Sequence, residues 1–195
     1  MNESRSDNKT RKGRLFVLVG PSGVGKGTLR IKALSDIEDL TYSVSCTTRS
    51  PREGERDGVD YHFVTEQDFE KKVAERMFLE HAVVHGYRYG TLLEYVEREM
   101  KAGKDVLLEI DVQGARQIKE ILPESVLIFI APPSLEALEK RLRQRKTESE
   151  DKIALRLENA KKEMELSSEY DRVIVNDDLK QACEELRGLV LSYRD

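Results

Sequence analysis

The segment Gly20-Pro21-Ser22-Gly23-Val24-Gly25-Lys26-Gly27-Thr28 carries the clearest chemistry in the chain. It fits G-x-x-x-x-G-K, with a hydroxyl two places beyond the lysine. Glycines at these places let a backbone wrap an anion with its N–H groups turned inward. A helix opening behind the loop adds the positive end of its dipole. Lys26 supplies a mobile point charge for the β- and γ-phosphates of a nucleoside triphosphate. The common pattern has Ser or Thr directly after the lysine, as a Mg2+ ligand. Here that place is Gly27, so Thr28 is expected to meet a phosphate oxygen rather than a metal.

Positive charge concentrates a second time at Arg49 and Arg52, three apart and beside Pro51. The proline keeps this segment out of a helix. Two planar guanidinium forks can grip one phosphate monoester, with Tyr61 as a third donor. Glu80 lies in the otherwise apolar run Phe78–Val84. Facing inward, its carboxylate would need donors. Strand alternation also permits Glu80 to point outward, the reading that the residues alone favour. Arg141 and Arg145 stand at i and i+4 on one helix face, a spacing of like charges that favours an anion between them.

The pattern Thr47-Thr48-Arg49-x-x-Arg52-x-x-Glu55-x-x-Gly58-x-x-Tyr61-x-Phe63 resembles the guanylate kinase family. So do the phosphate loop, the Glu80 run, Glu109-Ile110-Asp111-Val112-Gln113-Gly114, the arginine-rich helices and Val175-Asn176-Asp177-Asp178. The resemblance covers residues 13–192. It implies an α/β fold of the P-loop nucleoside-monophosphate-kinase type, a parallel sheet with helices on both faces, plus a small α+β insert and a helical lid. It implies phosphoryl transfer from ATP to GMP, and to dGMP, with Mg2+ accompanying ATP. By resemblance Arg49, Arg52 and Tyr61 hold the GMP phosphate with Tyr89 beside it. Glu80 by the same resemblance reads the guanine edge, whose N1–H and N2–H2 are two donors where adenine has an acceptor at N1 and nothing at C2, and Ser45 and Thr91 add hydroxyl contacts. ATP rests on Gly20–Thr28 with Arg141 and Asn176, although Asn176 also suits a turn. Glu109 and Asp111 close a strand at the sheet edge where such folds bind ligands. Glu109 is expected toward GMP, and Asp111 either near the water shell of Mg2+ or as a helix N-cap.

The transfer needs no general base, because the GMP phosphate is itself an anionic nucleophile. His62, His81 and His85 are therefore set aside as catalysts. Lys26, Arg52, Arg145 and Arg156 are expected to neutralise the migrating group, inside a site closed to water. Tyr87-Arg88 and Lys146 depart from the family's usual residues. Two other readings stay open: another nucleoside monophosphate kinase, or a guanylate-kinase-like binding module. The Thr-Thr-Arg segment with Glu80 argues against the first, and the intact Gly20–Thr28 loop against the second.

These groups must be held by elements that the apolar pattern marks out. Leu15–Val19, Val106–Leu108, Val126–Ile130 and Val173–Val175 read as strands buried on both faces, each followed by helical spacing. Residues 41–95 break the rhythm. There, Tyr61–Val64 and Phe78–Val84 read as antiparallel strands around a helix near 66–75. Residues 136–165 read as charged helix, with Ile153, Leu157, Ala160 and Met164 on one buried face. The expected division is a polar tail at 1–12, a core of 13–40, 96–135 and 160–193, a GMP-binding insert at 41–95 and a lid at 136–159.

At 195 residues the chain suits one domain with an insert. A net charge of −4 does not read as a general nucleic-acid binder. The apolar runs, Val126–Ala131 among them, are too short to span a bilayer, and the first residues lack the apolar stretch of a secretory signal. Cys46 and Cys183 have no metal-like spacing. The expectation is a cytoplasmic monomer or homodimer with small-molecule partners and no nucleic-acid or membrane partner.

Overall fold

The computed structural model describes residues 11–84, 86–144 and 149–194. The chain runs β1 (Leu15–Val19), α1 (Lys26–Leu34), β2 (Leu40–Tyr42), β3 (Cys46–Thr47), β4 (His62–Phe63) and α2 (Glu66–Ala74). It continues through β5 (Phe78–Val84), β6 (Tyr87–Leu92), α3 (Leu93–Lys101), β7 (Asp105–Glu109) and α4 (Val112–Ile121). It ends with β8 (Val126–Ala131), α5 (Leu135–Gln144), α6 (Glu150–Glu165), β9 (Arg172–Val175) and α7 (Leu179–Ser192).

Five strands form a parallel sheet in the order β2-β7-β1-β8-β9. Every residue of β1 and β8 is buried, because helices cover both faces. Phe16, Leu18, Ile128 and Ile130 pack with residues of α1, α5, α6 and α7. Leu15, Val17, Leu127 and Phe129 pack on the opposite face with α3 and α4. This is why these strands read as continuous apolar runs rather than alternating ones. The run Val173–Val175, expected to be buried on both faces, is corrected: it forms the edge strand β9, with Ile174 buried and Val173 and Val175 exposed. Asp105, fully buried at the start of β7, accepts from Arg14 N and Arg194 Nε, each at 2.8 Å, and from the Arg11 guanidinium. One carboxylate thus ties Arg11, Arg14 and Arg194 to the sheet.

A second sheet has the order β4-β3-β6-β5. Its β6 runs antiparallel to both β5 and β3, but β4 runs parallel to β3. The antiparallel strand expected at 61–64 is corrected accordingly. Between β3 and β4 the chain makes a long excursion, not a hairpin, and returns in its original direction. Strand β2, unmarked by the apolar pattern, joins the parallel sheet, and the expected insert boundary at residue 41 falls inside it. The single helical stripe at 153–164 also divides. Ile153, Leu157 and Ala160 pack in the α1 core, whereas Met164 packs on the opposite side of the sheet.

Candidate functional site

The phosphate loop joins β1 to α1. Gly20 has φ 137°, and a Cβ there would sit 2.2 Å from Ile130 O, so no other residue fits. Gly25 takes the left-handed conformation immediately before α1, a helix with no acidic residue in its first turn and no side-chain cap. The amides that open the helix are thereby left to an anion. Lys26 Nζ folds back over the loop, donating to Gly20 O at 2.7 Å and Pro21 O at 3.3 Å.

Three later segments converge on this loop. Asn176 Nδ2 donates to Val24 O at 2.7 Å. Arg141 donates to Val24 O at 3.3 Å and to Asn176 O at 2.8 Å. Arg156, on α6, donates to Ser22 Oγ. Beside them lies a cleft of about 300 Å³ whose lining includes Val24, Gly25, Thr28, Arg141 and Asn176. A larger depression, about 450 Å³, lies on α5 among Glu136, Glu139, Lys140 and Arg143, and it gathers no backbone amides of a phosphate loop. Arg145 and the residues to Glu148, Lys146 among them, lie outside the described residues, as does His85.

The second cluster is built from the other sheet. Arg49 is buried, and its Nη2 donates to both oxygens of Glu55 at 2.8 and 2.9 Å. Its guanidinium lies 5.4 Å from the Tyr61 ring centre, and Tyr61 meets Tyr89 edge-on at 5.8 Å. Burial first, then the charge of Glu109, pushes the Tyr61 hydroxyl up to about 12, so it stays a neutral donor. Arg52 is exposed; its backbone N–H donates to Glu55 at 2.7 Å. The loop therefore gathers Arg49, Tyr61 and Tyr89, and leaves the Arg52 side chain at its rim.

Glu80 faces inward and is 3% exposed. An irregularity in the β5–β6 register between Phe78 and Glu80 breaks the alternation, so Leu79 and Glu80 are both buried. The outward reading of Glu80 is thereby removed. Thr91 Oγ1 donates to Glu80 Oε1 at 2.6 Å. Cys46 pairs with Gly90, which brings Ser45 beside Thr91. Burial chiefly, with a contribution from Asp111, pushes the Glu80 carboxyl up to about 7. Gly114 makes room for it: a Cβ there would stand 2.2 Å from Glu80 Oε2.

Asp111 caps α4, accepting from Gly114 N and Gln113 Nε2, each at 3.0 Å. Glu109, two residues earlier, pairs with Arg30. Sequence reasoning missed several supporting groups. Gln117 exchanges hydrogen bonds with the backbone of His81, 2.9 Å to its O and 3.2 Å from its N, which hooks α4 onto the free edge of β5. Glu163 on α6 has its carboxyl pushed up by burial and by Asp111, against the pull of Lys26. The Gln113/Gln117 spacing of four was a legible signal; nothing in the sequence marked Glu163. Among the described residues no group of three or more acidic, His or Cys side chains could hold a metal ion.

A glycine loop between a buried parallel strand and a helix, facing a second pocket rich in arginine and tyrosine, defines the class of P-loop nucleotide kinases. The family model described as guanylate kinase matches residues 12–193. The guanylate kinase of Bacillus anthracis is 50% identical over 185 residues, 94% of this chain and 90% of that protein. That of Fusobacterium nucleatum is 49% identical over 178 residues, 91% and 96% of the two chains. The crystal structure of guanylate kinase from Anaplasma phagocytophilum superposes with a TM-score of 0.78 at 32% identity, covering 94% of this chain and 87% of that one. The chain belongs to the guanylate kinase family.

Proposed function

We propose that this protein passes the γ-phosphoryl group of ATP to GMP, and to dGMP, releasing GDP and ADP. The observation that carries the acceptor is Glu80: a buried carboxylate with one oxygen on Thr91 and the other turned toward the Asp111–Gly114 end of α4. Guanine N1–H and N2–H2 would meet that acceptor pair, with Ser45 and Asp111 close by. Adenine would leave it partly unpaired. Arg49, Tyr61 and Tyr89 would hold the acceptor phosphate, and Arg52 would swing in from the rim. Glu109 and Asp111 would border the acceptor.

On the donor side, Gly20 to Thr28 would wrap the triphosphate in backbone amides, with Arg141 and Asn176 shaping the nucleotide cleft. Lys26 and Arg156 would neutralise charge on the migrating group, joined by Arg145 as the sequence implies. The residues fit Mg2+ brought in on the triphosphate: the loop carries glycine at position 27, and the acids at the β7 end suit a hydrated ion better than a protein-only cage. When bound, Mg2+ supplies charge neutralisation on the β- and γ-phosphates. Catalysis is then in-line positioning and screening with water shut out. In the proposed division, the insert (41–95) and the lid (136–159) close over the core.

No helix among the described residues is long and apolar enough to cross a membrane. The proposed setting is a cytoplasmic monomer or homodimer. A coupled assay of ADP formation across nucleoside monophosphates tests the reading. GMP is expected to outpace AMP, CMP and UMP by at least ~100-fold in kcat/KM; a preference for any of these three overturns it.

A further inference from the structure

Arg30 lies one helical turn after Lys26, on the α1 face that meets β2 and β7. Its guanidinium stacks on the Tyr42 ring, 3.9 Å from the ring centre. Its Nε is sealed from solvent, has no hydrogen-bond partner, and stands 3.8 Å from Glu109 Oε2. That separation is too long for a hydrogen bond and short enough for an ion pair. Arg30 thus forms an ion pair with Glu109. Gly27 approaches the same carboxylate: a Cβ there would lie 3.6 Å from Glu109 Oε2, and glycine leaves that space without a hydroxyl.

Glu109 is three-quarters buried at the end of β7, where the donor loop meets the acceptor pocket. Its charge reaches both Tyr42 and Tyr61 and raises the pKa of each hydroxyl, second to burial. A negative charge there confronts any phosphate held beside Tyr61. We infer that Arg30 is a positioning residue for the acceptor, acting through Glu109. It screens this carboxylate and draws it back toward α1, so that the incoming phosphate does not meet an unpaired negative charge. The buried N–H without a partner is the donor that completes the bond when the acceptor pushes Glu109 toward it. The stacked Tyr42 ring keeps the guanidinium plane in place and limits the entropy lost in forming that bond. This role rests on the proposed GMP site and names a further residue that serves it.

Titration of GMP into the ATP-free full chain tests the role, alongside steady-state kinetics and thermal melting. Arg30→Met keeps the stem and removes the charge; it is expected to weaken GMP binding roughly tenfold, in KM far more than in kcat, with the KM for ATP within about twofold. Arg30→Lys keeps the charge and should hold GMP affinity within about threefold of wild type, which also provides a reading if Arg30→Met melts early. In a Glu109→Gln background, Arg30→Met should change GMP affinity by less than about threefold, because the charge it screens is gone. Equal losses in both backgrounds, or Arg30→Lys as weak as Arg30→Met, overturn the role while leaving the GMP site in place. Failure of the wild-type chain to bind GMP would remove both.

Discussion

In the proposed site the donor loop and the acceptor pocket solve one problem, holding a phosphate, by opposite means. The donor side is backbone. A short loop from Gly20 to Gly25, bent at both of these glycines, aims amides that lie between β1 and α1. The acceptor side is side chains: Arg49, Tyr61, Glu80 and the β6 pair Tyr89 and Thr91 come from four segments, with Thr91 bonded to Glu80 and Tyr61 packed edge-on against Tyr89. A backbone cradle recognises phosphate, which every nucleoside triphosphate carries. Only a side-chain pocket can read which base is attached, because the pattern of donors and acceptors on a base has to be matched atom by atom. The difference also sets how each half fails: the cradle through a single charge or torsion, the pocket through any of several contacts.

Removing the donor charge should have the largest effect. Lys26→Met is expected to cut kcat by roughly 100- to 1,000-fold with the melting temperature nearly unchanged. Activity close to wild type would detach the loop from the chemistry. Next comes Glu80→Gln, which puts a donor where an acceptor is required. It should lower kcat/KM for GMP by about 100-fold and leave the KM for ATP within about twofold. Equal losses for both nucleotides would erase the contrast between the halves.

Gly114→Ala should follow, because its methyl would collide with Glu80 Oε2. A roughly tenfold rise in the KM for GMP and a lower melting temperature are expected, checked by kinetics and calorimetry. An unchanged KM would mean that α4 does not hold Glu80 in place.

The smallest effect is in pH. The Glu80 carboxyl, raised from 4.5 to about 7, is largely protonated below pH 7 in the free chain, whereas the proposed pairing with guanine requires the anion. GMP binding should therefore release a proton and tighten about fourfold from pH 6.5 to 8, beyond any titration of GMP itself. Glu80→Gln serves as the reference for that ligand contribution. The same shift has a sign for stability. A raised carboxylate pKa favours the protonated folded state, so this group's contribution is full below pH 4.5 and fades as pH rises through 7. Thermal melts of the ligand-free chain should show a steeper decline over that window than melts of Glu80→Gln.

How much of this was legible depends on the range of the interactions involved. Three of the four apolar strands and the glycine loop are local: apolar runs and glycine spacing act over a few residues, and the fold bears them out, whereas the fourth run forms the edge strand β9, where only Ile174 is buried. Strand β2 was not visible, because Leu40–Tyr42 is half-buried and owes its pairing to β7, more than sixty residues away. The direction of β4 depended on a loop closed by Arg49 and Glu55, a contact that no periodicity encodes. Arg30 looked like an ordinary residue of the first helix until Tyr42 and Glu109 were seen against it.

The order of the residues by itself determined the phosphate cradle, the buried sheet strands and the chemical types available to an acceptor pocket, since backbone torsions and apolar runs are written within short windows. The tertiary structure alone decided that Glu80 turns inward at an irregular strand pairing, that Asp111 caps α4, and that Arg30 meets Glu109. Each of these depends on contacts between segments far apart in the chain, and their energies come from burial and geometry that exist only once the sheets and helices have packed.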